Sequence, residues 1–284
     1  MRAINQYVLE RLPSEPLDLI WVDKGVCLWP VTVRRIRKLA ACLVYYTPDT
    51  SFLHNSSRFF NRTVCLYDRV VTTKSLELGE FQRLVSPEKL VLTTQSYDQQ
   101  LHFPRVSFAD KRPEAVFIGL CEPAREECVA SLLNAGVPVR IGGRGWESFL
   151  RRRQRDANLF FEGDAVFGDH YADVLSKASI GLGLVTRRFA ELHTTRTFEI
   201  PACGTALATE SSSEVSRIFG PGDAIFFRTF ADLSAQCARL IKQPDRLRQL
   251  TECGYRRVLD SGCNNDGMVR QVLEPLGFAV AANL

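Results

Sequence analysis

Strand-like and helix-like segments alternate along this chain, and that alternation is the tightest constraint on its fold. Residues 17–22 form an unbroken apolar run that stops at Asp23-Lys24-Gly25. A run without polar alternation fits a strand buried on both faces of a parallel sheet. Residues 30–39 fit a helix with proline in its first turn. Strands are expected again at 41–46, 69–72 and 90–93, with helices at 55–66 and 77–84. The segment 95–113 breaks the rhythm: it is polar, carries Pro104 and Pro113, and reads as a connection between domains. A second series follows, with strands expected at 115–120, 137–141, 180–185, 205–209 and 224–227. Helices are expected at 124–134, 171–178 and 195–203, and residues 230–276 read as mainly helical. This order predicts an α/β fold of two parallel-sheet domains, 1–112 and 113–284.

Composition narrows the class. Of 284 residues, 45% are hydrophobic and 24% charged, which suits a globular chain and argues against a fibre or a disordered tail. Apolar runs fall far short of the ~20 residues of a membrane helix. The opening Met1-Arg-Ala-Ile-Asn-Gln-Tyr7 has no apolar h-region, so no secretory signal is expected. Nine cysteines, an odd number with no C-x-x-C spacing, read as reduced thiols of a cytoplasmic protein. The histidines (His54, His102, His170, His193) stand apart from them, and no structural metal is expected. Twenty-nine of the 36 basic residues are arginine, which favours anionic partners, but a net charge of +4 does not call for nucleic acid. The run Arg151-Arg-Arg-Gln-Arg155 could support weak peripheral contact with a membrane surface; a solvated helix end is the favoured reading.

In open α/β sheets, ligands gather beyond the carboxyl ends of the strands. The most informative segment there is Glu191-Leu-His-Thr-Thr-Arg-Thr-Phe-Glu-Ile-Pro-Ala-Cys-Gly204. Thr194 or Thr195 is expected to cap a helix whose free N–H groups attract an anion. Arg196 would add a fork-shaped phosphate ligand, and the Glu199 carboxylate would suit a ribose diol. The competing reading is an amphipathic helix with a salt-bridged Arg196 and Glu199. Gly119 and Arg125 bracket a second strand–loop–helix turn, and Gly142 and Gly143 form a third. Neither a Rossmann G-x-G-x-x-G nor a Walker A motif is present in proper form.

These residues resemble the CgeB-like spore-maturation family of glycosyltransferases. The block 168–259 carries the likeness, above all Thr195-Arg-Thr-Phe-Glu-Ile-Pro-Ala-Cys-Gly204, with Gly168-Asp-His-Tyr171, Phe219–Phe227 and Gly254-Tyr-Arg-Arg257. Trp21-Val-Asp-Lys-Gly25 and Tyr45-Tyr-Thr-Pro-Asp49 extend it into the N-terminal half. The resemblance implies a GT-B fold, two Rossmann-like domains facing a cleft, with a nucleotide-sugar donor held by the C-terminal one. It also implies kinship with retaining enzymes carrying Glu-x7-Glu, a spacing met by Glu191 and Glu199. By that match Glu199 would hold the ribose, Glu191 would lie near the donor sugar, and Arg125 would take the place of a phosphate-binding basic residue. The companion arginine after the glycine is Leu120 here. The opening βαβ portion has no counterpart, so the N-terminal domain is expected to be a shortened form or to follow a misassigned start.

The implied activity is metal-independent transfer of a sugar to a glycan, surface component or protein acceptor, with no cofactor beyond the donor. Arginines and a helix N-terminus can stabilise a leaving diphosphate. An inverting transfer would need a base instead, for which Asp23 or Asp49 is a candidate; the alternative for each is a loop-capping role. A non-catalytic GT-B-like binding protein and a nucleotide-sugar epimerase are the competing functions.

Overall fold

The computed structural model describes residues 1–53, 55–188 and 191–279; His54 lies outside them. Contacts group the chain into two units, Met1–Gln95 with the segment that starts at Met268, and Ser96–Gly267. The division falls at Gln95/Ser96 rather than at the expected 112/113. The physical reason is burial: Tyr97 and Leu101 pack into the apolar cluster of the second unit, and Tyr97 bridges Asn264.

In the first unit, β1 (Leu17–Asp23), β2 (Ala40–Thr47), β3 (Arg69–Thr72) and β4 (Leu90–Leu92) form a parallel sheet in the order β1-β2-β3-β4. The unbroken apolar character of β2 has a direct cause. Leu43 and Tyr45 face one cluster with Val33 and Ile36 of α2 (Pro30–Leu39), whereas Val44 and Tyr46 face Val272 and Leu273 of α11 (Asn265–Leu273). Each such side chain stabilises the fold by roughly 1.5–3 kcal/mol relative to exposure. Ahead of β1, α1 (Arg2–Arg11) is tied to the start of α2: the Trp29 N–H donates to Asn5 Oδ1 at 2.7 Å.

Two expected helices are shorter than their sequence patterns. In place of 55–66 stand α3 (Arg58–Asn61) and a 3₁₀ turn at Val64–Leu66. The Thr63 hydroxyl donates back to the Phe59 carbonyl at 3.0 Å, offering the chain an alternative to continued helix. In place of 77–84 stand a 3₁₀ turn at Ser75–Glu77 and α4 (Leu78–Gln82).

The second unit holds β5 (Arg112–Ile118), β6 (Val139–Gly142), β7 (Leu159–Phe161), β8 (Ala178–Gly183), β9 (Ala206–Glu210) and β10 (Ile225–Phe227). They form a parallel sheet in the order β10-β9-β8-β5-β6-β7. Helices α5 (Pro123–Asn134), α6 (Glu147–Arg152), α7 (Gly168–Lys177), α8 (Arg196–Ala202), α9 (Phe230–Ile241) and α10 (Pro244–Asp260) complete the unit. From β5 the chain moves outward through β6 and β7, then returns to place β8 on the other side of β5. Such a reversal opens a crevice past the carboxyl ends of the two central strands.

Among the described residues no disulfide joins any of the nine cysteines, and no helix is long and apolar enough to cross a membrane.

Candidate functional site

A cavity of about 630 Å³ lies at that reversal, within the second unit. Its walls come from the ends of β5 (Ile118, Gly119, Leu120) and β6 (Gly143, Arg144), from Asp164, Val166 and Phe167 before α7, and from Gly168 at the start of that helix. Helix α8 closes it with Thr195, Arg196 and Glu199. Helix α8 is pressed onto the sheet by Phe198 and Ile200, both fully buried. Gly181 of β8 permits this approach, because a Cβ there would lie 2.5 Å from Ile200 Cγ2.

One end of the cavity is built largely of backbone. Gly143 has φ +111°, and a Cβ there would fall 2.4 Å from the Gly119 carbonyl oxygen. Only glycine is tolerated in such a conformation and contact. A Cβ on Gly119 would in turn meet Arg196 Nη2 at 2.9 Å. The Arg196 Nε–H donates to the Ile118 carbonyl at 2.8 Å, which fixes the guanidinium beside the loop. No described hydrogen bond engages the N–H of Thr195 or Arg196. A guanidinium, unengaged amides and glycine-bared backbone together make an anion seat.

The expected threonine cap is not formed. Thr195 is already helical (φ −54°, ψ −35°) and makes no side-chain cap, and the buried Thr194 hydroxyl has no hydrogen-bond partner. The direction is reversed: Thr197 Oγ1 accepts from the Thr194 N–H at 3.2 Å.

The other wall is polar and aromatic. Glu199 stands one turn beyond Arg196, and its Oε2 accepts from the Tyr171 hydroxyl at 2.6 Å. Burial, reinforced by the Glu199 carboxylate, pushes the Tyr171 phenol well above its ordinary range, so it remains a donor. The His102 ring meets Tyr171 edge-on with centroids 5.9 Å apart. The exposed Phe167 ring stands at the rim. Sequence reasoning assigned no role to Tyr171, His102, Phe167, Arg144 or Asp164.

Five of the sequence-predicted residues, Gly119, Gly143, Thr195, Arg196 and Glu199, therefore line one cavity. Gly142 and Thr194 do not line it. A Cβ on Gly142 would press on Ile118 and Val166. Arg125 is buried outside this lining, with its guanidinium 3.2 Å from Glu122 and donating to the Leu120 carbonyl at 3.1 Å. Glu122 also accepts from the Thr186 hydroxyl at 2.9 Å. Burial lowers the Arg125 pKa from its ordinary value; Glu122 and Glu191 oppose that shift, while Arg196 reinforces it. Glu191 lines a separate cavity of about 480 Å³ with Thr186, Arg187, Arg188 and Glu210. Asp49 belongs to the first unit, where its carboxylate lies 2.5 Å from Lys24 Nζ. Asp23, beside it, has its carboxyl raised by burial. Among the described residues no group of three or more His, Cys, Asp or Glu side chains could hold a metal ion.

Two parallel sheets, with a crevice at the strand reversal of the second, are the architecture of a GT-B type of glycosyltransferase fold. The chain belongs to the glycosyl transferase-like family, whose model matches residues 123–274. No curated protein sequence matches it significantly. Among solved structures it is similar to TarM, a protein of S. aureus, with a TM-score of 0.68 at 9% identity over 96% of this chain. It spans 56% of the TarM chain. It is also similar to HepE of Anabaena (TM-score 0.66, 12% identity, 97% of this chain and 81% of that one). Sucrose-phosphate synthase from Thermosynechococcus elongatus gives 0.62 at 13% identity, over 93% of this chain and 74% of that one.

Proposed function

We propose that this protein is a glycosyltransferase that takes a nucleotide-diphospho-sugar as donor and passes the sugar to a glycan, surface component or protein. The observation that carries the reading is the shared cavity of Arg196 and Glu199, a phosphate ligand and a diol ligand one helical turn apart. The pyrophosphate rests on the Gly119–Gly143 backbone and the amino end of α8, with the Arg196 guanidinium against it. Negative charge that develops on the leaving diphosphate is met there without the need of a metal. Arg125 adds positive potential from behind the Phe117 ring. Glu199 takes the ribose hydroxyls. Glu191, in the neighbouring cavity, lies toward the donor sugar, and its eight-residue distance from Glu199 favours a retaining transfer.

The known relatives support the donor and acceptor classes. HepE has been solved with UDP-glucose and with UDP, and S. aureus TarM with UDP and α-GlcNAc-glycerol. The CgeB-like assignment rests on the Thr195–Gly204 string, and a cytoplasmic location rests on an odd number of cysteines without C-x-x-C spacing. In this reading residues 113–284 carry the donor, and the N-terminal domain with Asp49 serves the acceptor. Isothermal titration against UDP, GDP and dTDP tests the proposal. Micromolar to millimolar binding of one of them is expected, and no binding of any rejects it. Turnover of a bound donor without an acceptor would point to an epimerase instead.

A further inference from the structure

The Glu199 carboxylate does not stand alone in its cavity. One of its oxygens is occupied by the Tyr171 hydroxyl at 2.6 Å, a contact between α7 and α8. The Tyr171 ring is held in turn by the edge-on His102 ring, and His102 Nδ1 is bound to the Asp98 backbone at 3.1–3.2 Å. All three side chains line the cavity.

A carboxylate on a glutamate side chain has three torsions to settle before it can grip two vicinal hydroxyls. A fixed donor on Oε2 settles them in advance, which reduces the ordering cost of binding. It also leaves Oε1, together with the second lone pair of Oε2, to accept from a diol. We propose that Tyr171 is a positioning residue that holds Glu199 in the orientation that recognises the ribose 2′- and 3′-hydroxyls of the donor. The inference rests on the donor reading given above and deepens it. Tyr171 makes no bond to the nucleotide; it sets ribose against deoxyribose selectivity through Glu199.

The test is Tyr171→Phe in the full chain, which keeps the ring and its contact with His102 and removes only the hydroxyl. UDP and 2′-deoxy-UDP are titrated calorimetrically against the wild-type protein, Tyr171→Phe, Glu199→Gln and the double variant. GDP and 2′-deoxy-GDP replace them if GDP binds more tightly. The expected result is a loss of about tenfold in affinity for the ribonucleotide on removing the hydroxyl, in line with a hydrogen bond to a charged group. The preference for the ribo over the deoxy ligand should fall along with it. The double variant should bind no more weakly than Glu199→Gln alone, because the two residues act as one unit. A purely structural tyrosine would lower both affinities equally and leave the ratio unchanged, and that outcome overturns the proposal. Unchanged affinity and an unchanged ratio overturn it too. A wild-type protein that binds no nucleoside diphosphate instead removes the donor reading, and this inference with it. Thermal unfolding of each variant verifies that the cavity is still folded. Should Tyr171→Phe fail to fold, a ribo/deoxy preference that Glu199→Gln leaves intact overturns the proposal by itself.

Discussion

Arg125 and Arg196 share one aromatic ring: their guanidinium carbons lie 5.3 and 5.5 Å from the centroid of Phe117. Their charges are nevertheless used differently. Arg125 is buried against Glu122, whereas Arg196 donates to the Ile118 carbonyl and faces the cavity.

That difference predicts opposite phenotypes. Arg196→Ala should weaken UDP or GDP binding about tenfold to a hundredfold, as expected for a charge-assisted phosphate contact worth roughly 1.5–3 kcal/mol. Arg196→Lys should recover little, because an ammonium cannot keep the Ile118 bond and present a fork together. Calorimetric titration at low and high salt separates the two variants.

Arg125→Met should act mainly on stability. It leaves the buried Glu122 carboxylate without its cation, at a cost of about 3 kcal/mol. Adding Glu122→Gln should restore much of that loss. The readout is the urea midpoint of the single and double variants.

Glu199→Ala should weaken nucleotide binding with the fold intact and a modest fall in melting temperature, because the buried Tyr171 hydroxyl loses its acceptor. Glu199 is half-buried and lies on the cavity side of α8. An unchanged affinity would remove it from the site.

Gly143→Ala should damage fold and binding together. The new Cβ would sit 2.4 Å from the Gly119 oxygen at φ +111°, so the loss is about 2 kcal/mol or more. Urea unfolding and UDP titration on the same variant check both effects.

Alkaline pH should destabilise the protein. Burial pushes the Cys203 and Cys237 thiols up to about 12 from their ordinary value near 9. Between pH 9 and 12 the unfolded chain therefore releases protons that the folded one retains, and stability falls as pH rises. Lys111 works the other way, since burial lowers it to about 8 and folding gains as pH climbs from 8 toward 10.5. Cys237→Ala should flatten the decline in melting temperature above pH 9.

Much of the fold was legible because strands buried on both faces need unbroken apolar runs, as β2 and β8 illustrate. Helix α8 was legible as well, since Arg196 and Glu199 lie within a single local element. The contacts that join distant segments were not. Tyr171 reaches Glu199 across 28 positions, and nothing in local spacing records that meeting. Glu191 and Glu199 are a second case of separation that spacing does not record. Eight positions apart, they line different cavities, because the chain turns from loop into helix between them. Within the segment 95–113, Tyr97 and Leu101 pack into the second unit's apolar cluster and His102 lines its cavity, contacts that the segment's polar character did not reveal.

The close stacking of Gly143 on Gly119 has an evolutionary corollary. Main chain meets main chain there, so mutation has no side chain to retune; substitutions can only break the floor of the crevice. Side chains that can change without moving that floor stand around it, at Arg144, Asp164 and Phe167. Substitution there alters what the crevice presents to solvent while the floor keeps its shape.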